Sequence, residues 1–99
     1  MSKPVYMLVI ANGYTEAGHQ LSKKEQKNLW AKVTEIGKQA GEKQIISCNS
    51  RWADESIVGW VVFEYPDIDA YQKKVEELEK INWWRYFSAK TILGTKMEE

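Results

Sequence analysis

The segment SIVGWVVFEY, residues 56–65, decides how the rest of the chain is read. It is dense in β-branched and aromatic residues and is closed by Pro66, the composition of a strand. In a strand, alternate side chains point to opposite faces. Ile57, Val61, Phe63 and Tyr65 then share one side, and Val58, Trp60 and Val62 share the other until Glu64 interrupts the run. Antiparallel sheets of small monomers usually leave one face polar. This strand asks for cover on both.

The elements around it can be placed by their own signals. Upstream, VYMLVIA (residues 5–11) is a nearly continuous apolar run, bounded by Pro4 and Asn12-Gly13, and reads as a first strand buried on both faces. YTEAGHQL (residues 14–21) reads as a loop. Ser22 followed by Glu25 is a capping box that opens a helix, whose apolar stripe is Leu29, Val33, Ile36 and Ala40, with Trp30 beside it. Gly41 stops that helix, and Gly37 marks either close packing against a strand or an earlier end. KQIISCNSR (residues 43–51) reads as a second strand, and Trp52 to Glu55 as a polar turn.

Downstream, Asp67 or Asp69 can cap a second helix with Ile68, Tyr71, Val75, Leu78 and Ile81 on its inner face, and KKVEELEK (residues 73–80) reads as its solvated outer face. INWWRYF (residues 81–87) comes next, SAKTILGTKM (residues 88–97) reads as the last strand, and Glu98-Glu99 as a frayed tail. The order strand, helix, strand, strand, helix, strand predicts one α+β domain over residues 1–99. It would be ferredoxin-like, with a four-stranded antiparallel sheet and both helices on one face. A homodimer packed sheet against sheet would satisfy the second apolar face.

Bulk composition narrows the function. Ninety-nine residues, 43% hydrophobic and 12% aromatic, suffice for one core, and five tryptophans are too many for its centre. Fourteen basic residues balance fourteen acidic ones, so no basic stripe predicts nucleic-acid binding, and little self-repulsion opposes a dimer. A single cysteine, Cys48, excludes an internal disulfide and fits a reducing, cytoplasmic setting. The opening MSKPVYMLVIANGY reads as a strand, not as a leader or membrane span. Motifs for nucleotides (GxGxxG, GxxxxGK[ST]), zinc (HExxH), redox thiols (CxxC) and a serine nucleophile elbow are lacking.

Length, element order and the two-sided sheet together resemble the dimeric α+β barrel superfamily. Its members include small cofactor-independent monooxygenases, EthD-like, NIPSNAP-like and darcynin-like proteins, and chlorite-dismutase relatives. The resemblance spans nearly the whole chain without a residue-level motif. It implies a homodimer whose sheets form a barrel, with a pocket in each subunit between sheet and helices that in several branches takes aromatic or polyketide-like substrates. Haem would need His19, a lone histidine in a loop of a short chain, so no cofactor and no metal is assigned.

Several residues could carry chemistry there. His19 has the one ordinary pKa near neutrality and is the candidate general base, against the reading of a surface-loop histidine. Ser47, Asn49 and Arg51 share a strand face, with Trp52 following. Asn49 and Arg51 could stabilise a developing oxyanion, or simply form a wet strand end. Cys48, on the opposite face, reads as a small buried hydrophobe. Tyr14, Trp60, Tyr65, Trp83, Trp84 and Tyr86 are candidate walls of a ligand pocket, although core, edge or subunit contacts would employ the same residue types. Adjacent Trp83 and Trp84 cannot face one environment, and Tyr71 reads as core. The functional expectation is a protein binding a small aromatic or apolar ligand, including a cofactor-free oxygenase or isomerase acting by proton abstraction. A non-catalytic dimeric assembly protein and a ligand sensor stay open beside it.

Overall fold

A computed structural model describes residues 3–98. Met1 and Ser2, at the start of the N-terminal reading, and Glu99, in the tail expected to fray, lie outside the described residues. The chain runs β1 (Val5–Tyr14), α1 (Glu16–His19), α2 (Lys23–Gln39), β2 (Lys43–Asn49), β3 (Gly59–Tyr65), α3 (Ile68–Lys80), α4 (Trp83–Tyr86) and β4 (Phe87–Gly94). It is an α+β fold in which all neighbouring strands pair antiparallel, in the order β2-β3-β1-β4.

Local chemistry explains the boundaries. At the start of α2, Ser22 Oγ accepts from the Glu25 backbone N–H at 3.1 Å and Glu25 Oε1 accepts from the Ser22 N–H at 2.9 Å, completing the capping box. Asp67, not Asp69, caps α3 by accepting from the Ala70 N–H at 2.8 Å. Gly41, at φ +76, takes the left-handed turn out of α2. The strand expected over 56–65 is shorter and begins at Gly59, because the carboxylate of Asp54 holds both the backbone N–H and the hydroxyl of Ser56 in a turn. β2 likewise ends at Asn49 rather than Arg51, since Ser50 opens that turn by accepting from Ala53 and Asp54. β4 starts one residue earlier than expected, at Phe87, and ends at Gly94 rather than continuing to Met97.

Two short helical turns flank the sheet. In the expected loop, Thr15 caps α1, its hydroxyl donating to the Arg85 carbonyl at 2.5 Å while its N–H reaches the Tyr86 carbonyl at 3.0 Å. Gly18 is required there, because a Cβ would stand 2.1 Å from the Tyr86 carbonyl oxygen. Within INWWRYF, Asn82 adopts φ 55 and breaks α3, after which one helical turn carries Trp83 to Tyr86 and the chain becomes extended at Phe87. The stretch is therefore helical over Trp83–Tyr86 and extended from Phe87.

The register separates the two sheet faces. Met7, Val9, Val61 and Phe63 face α2 and α3, as does Thr91 opposite Val9. Leu8 with Val62 and Ile92, and Ile10 with Trp60, share the opposite face, which also receives Ile46 opposite Val62 and Cys48 opposite Trp60. That second face is apolar and open, with Ile46 and Ile92 each about half exposed. Leu29, Leu78 and Trp83 form the best-packed cluster, with Leu21, Val33, Ile36, Ile81, Tyr86 and Phe87 around them. Ile68 is not on this inner stripe; at the first turn of α3 it is exposed.

Candidate functional site

Because the densest packing lies among α2, α3 and α4, the layer between α2, α3 and the sheet is left partly unfilled. A cavity of about 430 Å³ occupies it, within the size range of small-molecule sites. Its floor includes Met7, Val9 and Ala11 on β1, a span of about 14 Å at the rise of a strand.

One end of the cavity is aromatic. Trp83 stacks on Phe87 with ring centroids 5.0 Å apart, and Trp30 meets both edge-on at 4.9 and 5.2 Å. The Trp30 indole donates to the Tyr14 hydroxyl at 2.7 Å, which fixes its ring. Trp84 also lines the space, although it is 46% exposed. The adjacent tryptophans thus divide their work, Trp83 between core and cavity and Trp84 between cavity and solvent.

The other end is polar and buried. Lys74, only 6% exposed, reaches inward from α3 and places Nζ 2.5 Å from Glu42 Oε2 and 2.6 Å from the Tyr65 hydroxyl. The Tyr65 hydroxyl donates in turn to Glu42 Oε2. The ammonium also lies 5.1 Å from the centre of the Phe63 ring. Burial, reinforced by the Glu42 carboxylate, pushes the Tyr65 phenol far above its ordinary value, so the phenol stays protonated. Burial also raises Tyr71, which meets Tyr65 edge-on at 5.4 Å.

Gly37 makes the arrangement possible, since a Cβ there would stand 2.5 Å from Glu42 Oε1. Its close packing is against the Glu42 carboxylate, neither against a strand nor at an early end of the helix, which runs on to Gln39. KKVEELEK, by contrast, is not wholly solvated. Lys74 falls on the inner stripe between Tyr71 and Val75, and the spacing Tyr71, Lys74, Val75, Leu78 was the available signal.

A second depression, an open cleft of about 1030 Å³, adjoins the cavity and shares Ala11, Trp30, Val61 and Phe87 with it. His19, Asn49, Arg51, Tyr14 and Trp60 all line this cleft. His19 is exposed and meets the Tyr14 ring edge-on at 5.6 Å. Asn49 Oδ1 accepts from the Arg51 backbone N–H at 3.1 Å, and the Asn49 carbonyl accepts from the indole of Trp52 at 2.8 Å. Ser47 and Asn49 share the helix-side face, opposite Cys48 and Ile46. Tyr65 and Tyr86 line neither space: Tyr65 is fully buried behind Lys74, and Tyr86 packs against the helical core cluster. Among the described residues, no group of three or more histidine, cysteine, aspartate or glutamate side chains is placed to hold a metal ion.

No family model matches the sequence, and no curated protein is similar to it. Among solved structures, the chain is similar to the crystal structure of a protein of unknown function from Rhodopseudomonas palustris, a structural-genomics target. The TM-score is 0.66 at 13% identity, over 100% of this chain and 86% of that one. At that identity the likeness concerns the fold alone. No helix among the described residues is long and apolar enough to cross a membrane.

Replacing Lys74 alone by methionine should cost about 3–5 kcal/mol in urea unfolding, because it leaves the Glu42 carboxylate buried without its cation. Replacing the whole cluster, as E42L/Y65F/K74M, should recover most of that loss. A K74M protein as stable as the parent would show that the pair is not held away from water.

Proposed function

We propose that the chain binds a small, largely apolar, aromatic molecule in the cavity between sheet and helices, and that it does so as a homodimer. The observation that carries the first part is the cavity itself, which is walled by Trp30, Trp83, Trp84 and Phe87 and has a buried charged group at its far end. Stacked and edge-on rings make a slot suited to a flat apolar body. The catalytic form of this reading is a cofactor-free oxygenase or isomerase. In that form His19 removes a proton while Asn49 or Arg51 steadies the oxygen that becomes negative, and the reacting carbon lies in the cleft that these side chains line.

The dimer is supported by the uncovered face. Two interleaved strand-helix-strand units in the order β2-β3-β1-β4 support a ferredoxin-like subunit, with α2 and α3 on one side and Leu8, Ile10, Trp60 and Val62 on the other. The chain exposes 7335 Å², whereas a folded monomer of its 11.5 kDa mass should expose about 5800 Å². The excess, about 1500 Å², is on the scale that one protomer buries in a stable dimer. A second copy suits the face because a two-fold contact is self-complementary and the net charge of zero offers no repulsion. Packing of two sheets in this way would form the dimeric α+β barrel. The half-buried free thiol of Cys48 fits a reducing, cytoplasmic compartment. This open apolar face also favours the second reading, a dimeric assembly protein without chemistry.

Two measurements test these parts separately. The uncharged fluorophore N-phenyl-1-naphthylamine should brighten on binding the protein, and Ala89→Trp, which fills the cavity from β4, should weaken that binding at least about tenfold. Equal brightening with the A89W protein would place the probe elsewhere. Sedimentation at micromolar concentration should give twice the 11.5 kDa chain mass, falling to the monomer in Val62→Glu; a monomeric parent would remove the dimer.

A further inference from the structure

Lys74 projects from α3 into the helix–sheet cavity, yet a cation is a costly lining for an apolar chamber. Its ammonium carries three protons. One goes to Glu42 Oε2 at 2.5 Å and a second to the Tyr65 hydroxyl at 2.6 Å. The Tyr65 hydroxyl spends its own proton on the same Glu42 oxygen, and its side chain is fully buried behind the lysine. The third lysine proton is the donor that remains for a ligand in the cavity, which is lined by Val9, Val61, Val75 and the aromatic rings and, nearer solvent, by the exposed Thr34, Lys38, Gln44 and Thr91.

Charge decides what this donor can serve. Glu42 already balances Lys74, so the cluster is neutral overall. A ligand carboxylate at Lys74 would place a second negative charge beside Glu42 where little water reaches, and the other cation of the lining, Lys38 in the last turn of α2, is exposed, so its charge is screened by solvent. An uncharged acceptor, such as the oxygen of a ketone, quinone or hydroxyl group, takes the remaining proton with no new charge to bury. The ring body then extends along β1 toward Trp30, Trp83 and Phe87.

We infer that the Glu42–Lys74–Tyr65 cluster is the polar subsite of the cavity, and that it selects an uncharged, otherwise apolar ligand by hydrogen bonding its carbonyl or hydroxyl oxygen to Lys74. The inference rests on the cavity being the binding site proposed above. Glu42 and Tyr65 act as positioning residues: they hold the ammonium at the end of the cavity and cancel its charge, while Gly37 keeps the Glu42 carboxylate in place.

Three probes of one shape separate the possibilities: naphthalene, 2-acetylnaphthalene and 2-naphthoate, each measured against the full chain by equilibrium dialysis near neutral pH. The ketone should bind about tenfold more tightly than naphthalene, the worth of one hydrogen bond from a charged donor. It should also bind more tightly than 2-naphthoate. In the E42L/Y65F/K74M protein, which leaves no member of the cluster unpaired, the ketone and naphthalene should bind alike. Equal binding of these two to the parent protein would overturn the subsite while leaving the cavity as the binding place. Tightest binding of 2-naphthoate would overturn it in favour of an anion site. Failure of all three to bind would remove both the subsite and the cavity reading.

Discussion

Lys74 and Glu42 meet almost out of reach of water, and the helical layer is arranged around that fact. Removing both charges from solvent is expensive, so such a pair holds only where geometry is good and further hydrogen bonds satisfy it. Here the Tyr65 hydroxyl supplies those bonds, and Gly37 supplies the room. The partners come from three places: the residue before β2, the last residue of β3 and the middle of α3. The rotation and position of α3 over the sheet follow from this, because a shift by one residue would put Lys74 in solvent and leave Glu42 alone. A pair of this kind adds little net stability compared with apolar packing; what it gives this fold is a cavity with a polar end.

The rest of the helix–sheet layer divides its tasks. Trp83, Leu78 and Leu29 close the core at the α4 end, where Gly18 lets α1 approach the Tyr86 carbonyl. Phe87 and Trp30 line both the cavity and the open cleft beside it. The residues nominated for proton abstraction and oxyanion stabilisation gather in that cleft, while the buried ion pair lies at the opposite end of the cavity.

Much of the fold was legible because it was written in local signals. The capping box at Ser22, the stop at Gly41, the aspartate cap at Asp67 and the period-two pattern of β3 each depend on neighbours in sequence. The two apolar sheet faces were equally plain in the alternation of residues 57–63. His19 lies 30 residues before Asn49 in sequence, with Arg51 at the turn that follows Asn49, and only the folded chain brings them to one cleft. The polar cluster was hidden for a physical reason. A lysine in KKVEELEK looks solvated unless its stripe position is weighed against its charge, and its partners stand 32 and 9 residues away. Likewise, α1 depends on a capping threonine held by carbonyls of α4, a contact that no window of sequence contains.

The most direct measurement is the alkaline titration of tyrosinate absorbance for the parent and the Y65F protein, with circular dichroism recording the folded state. Above the ordinary phenol value of 10.0, the unfolded chain would release a proton that folded Tyr65 keeps. The unfolded state then binds fewer protons, and stability falls as pH rises. A Tyr65 buried against Glu42 and Lys74 predicts identical absorbance changes in the two proteins while both stay folded, one extra phenolate in the parent on unfolding, and a shallower loss of stability in Y65F. An additional phenolate appearing in the folded parent near pH 10.0 would contradict it, and with it the buried cluster on which the cavity is built.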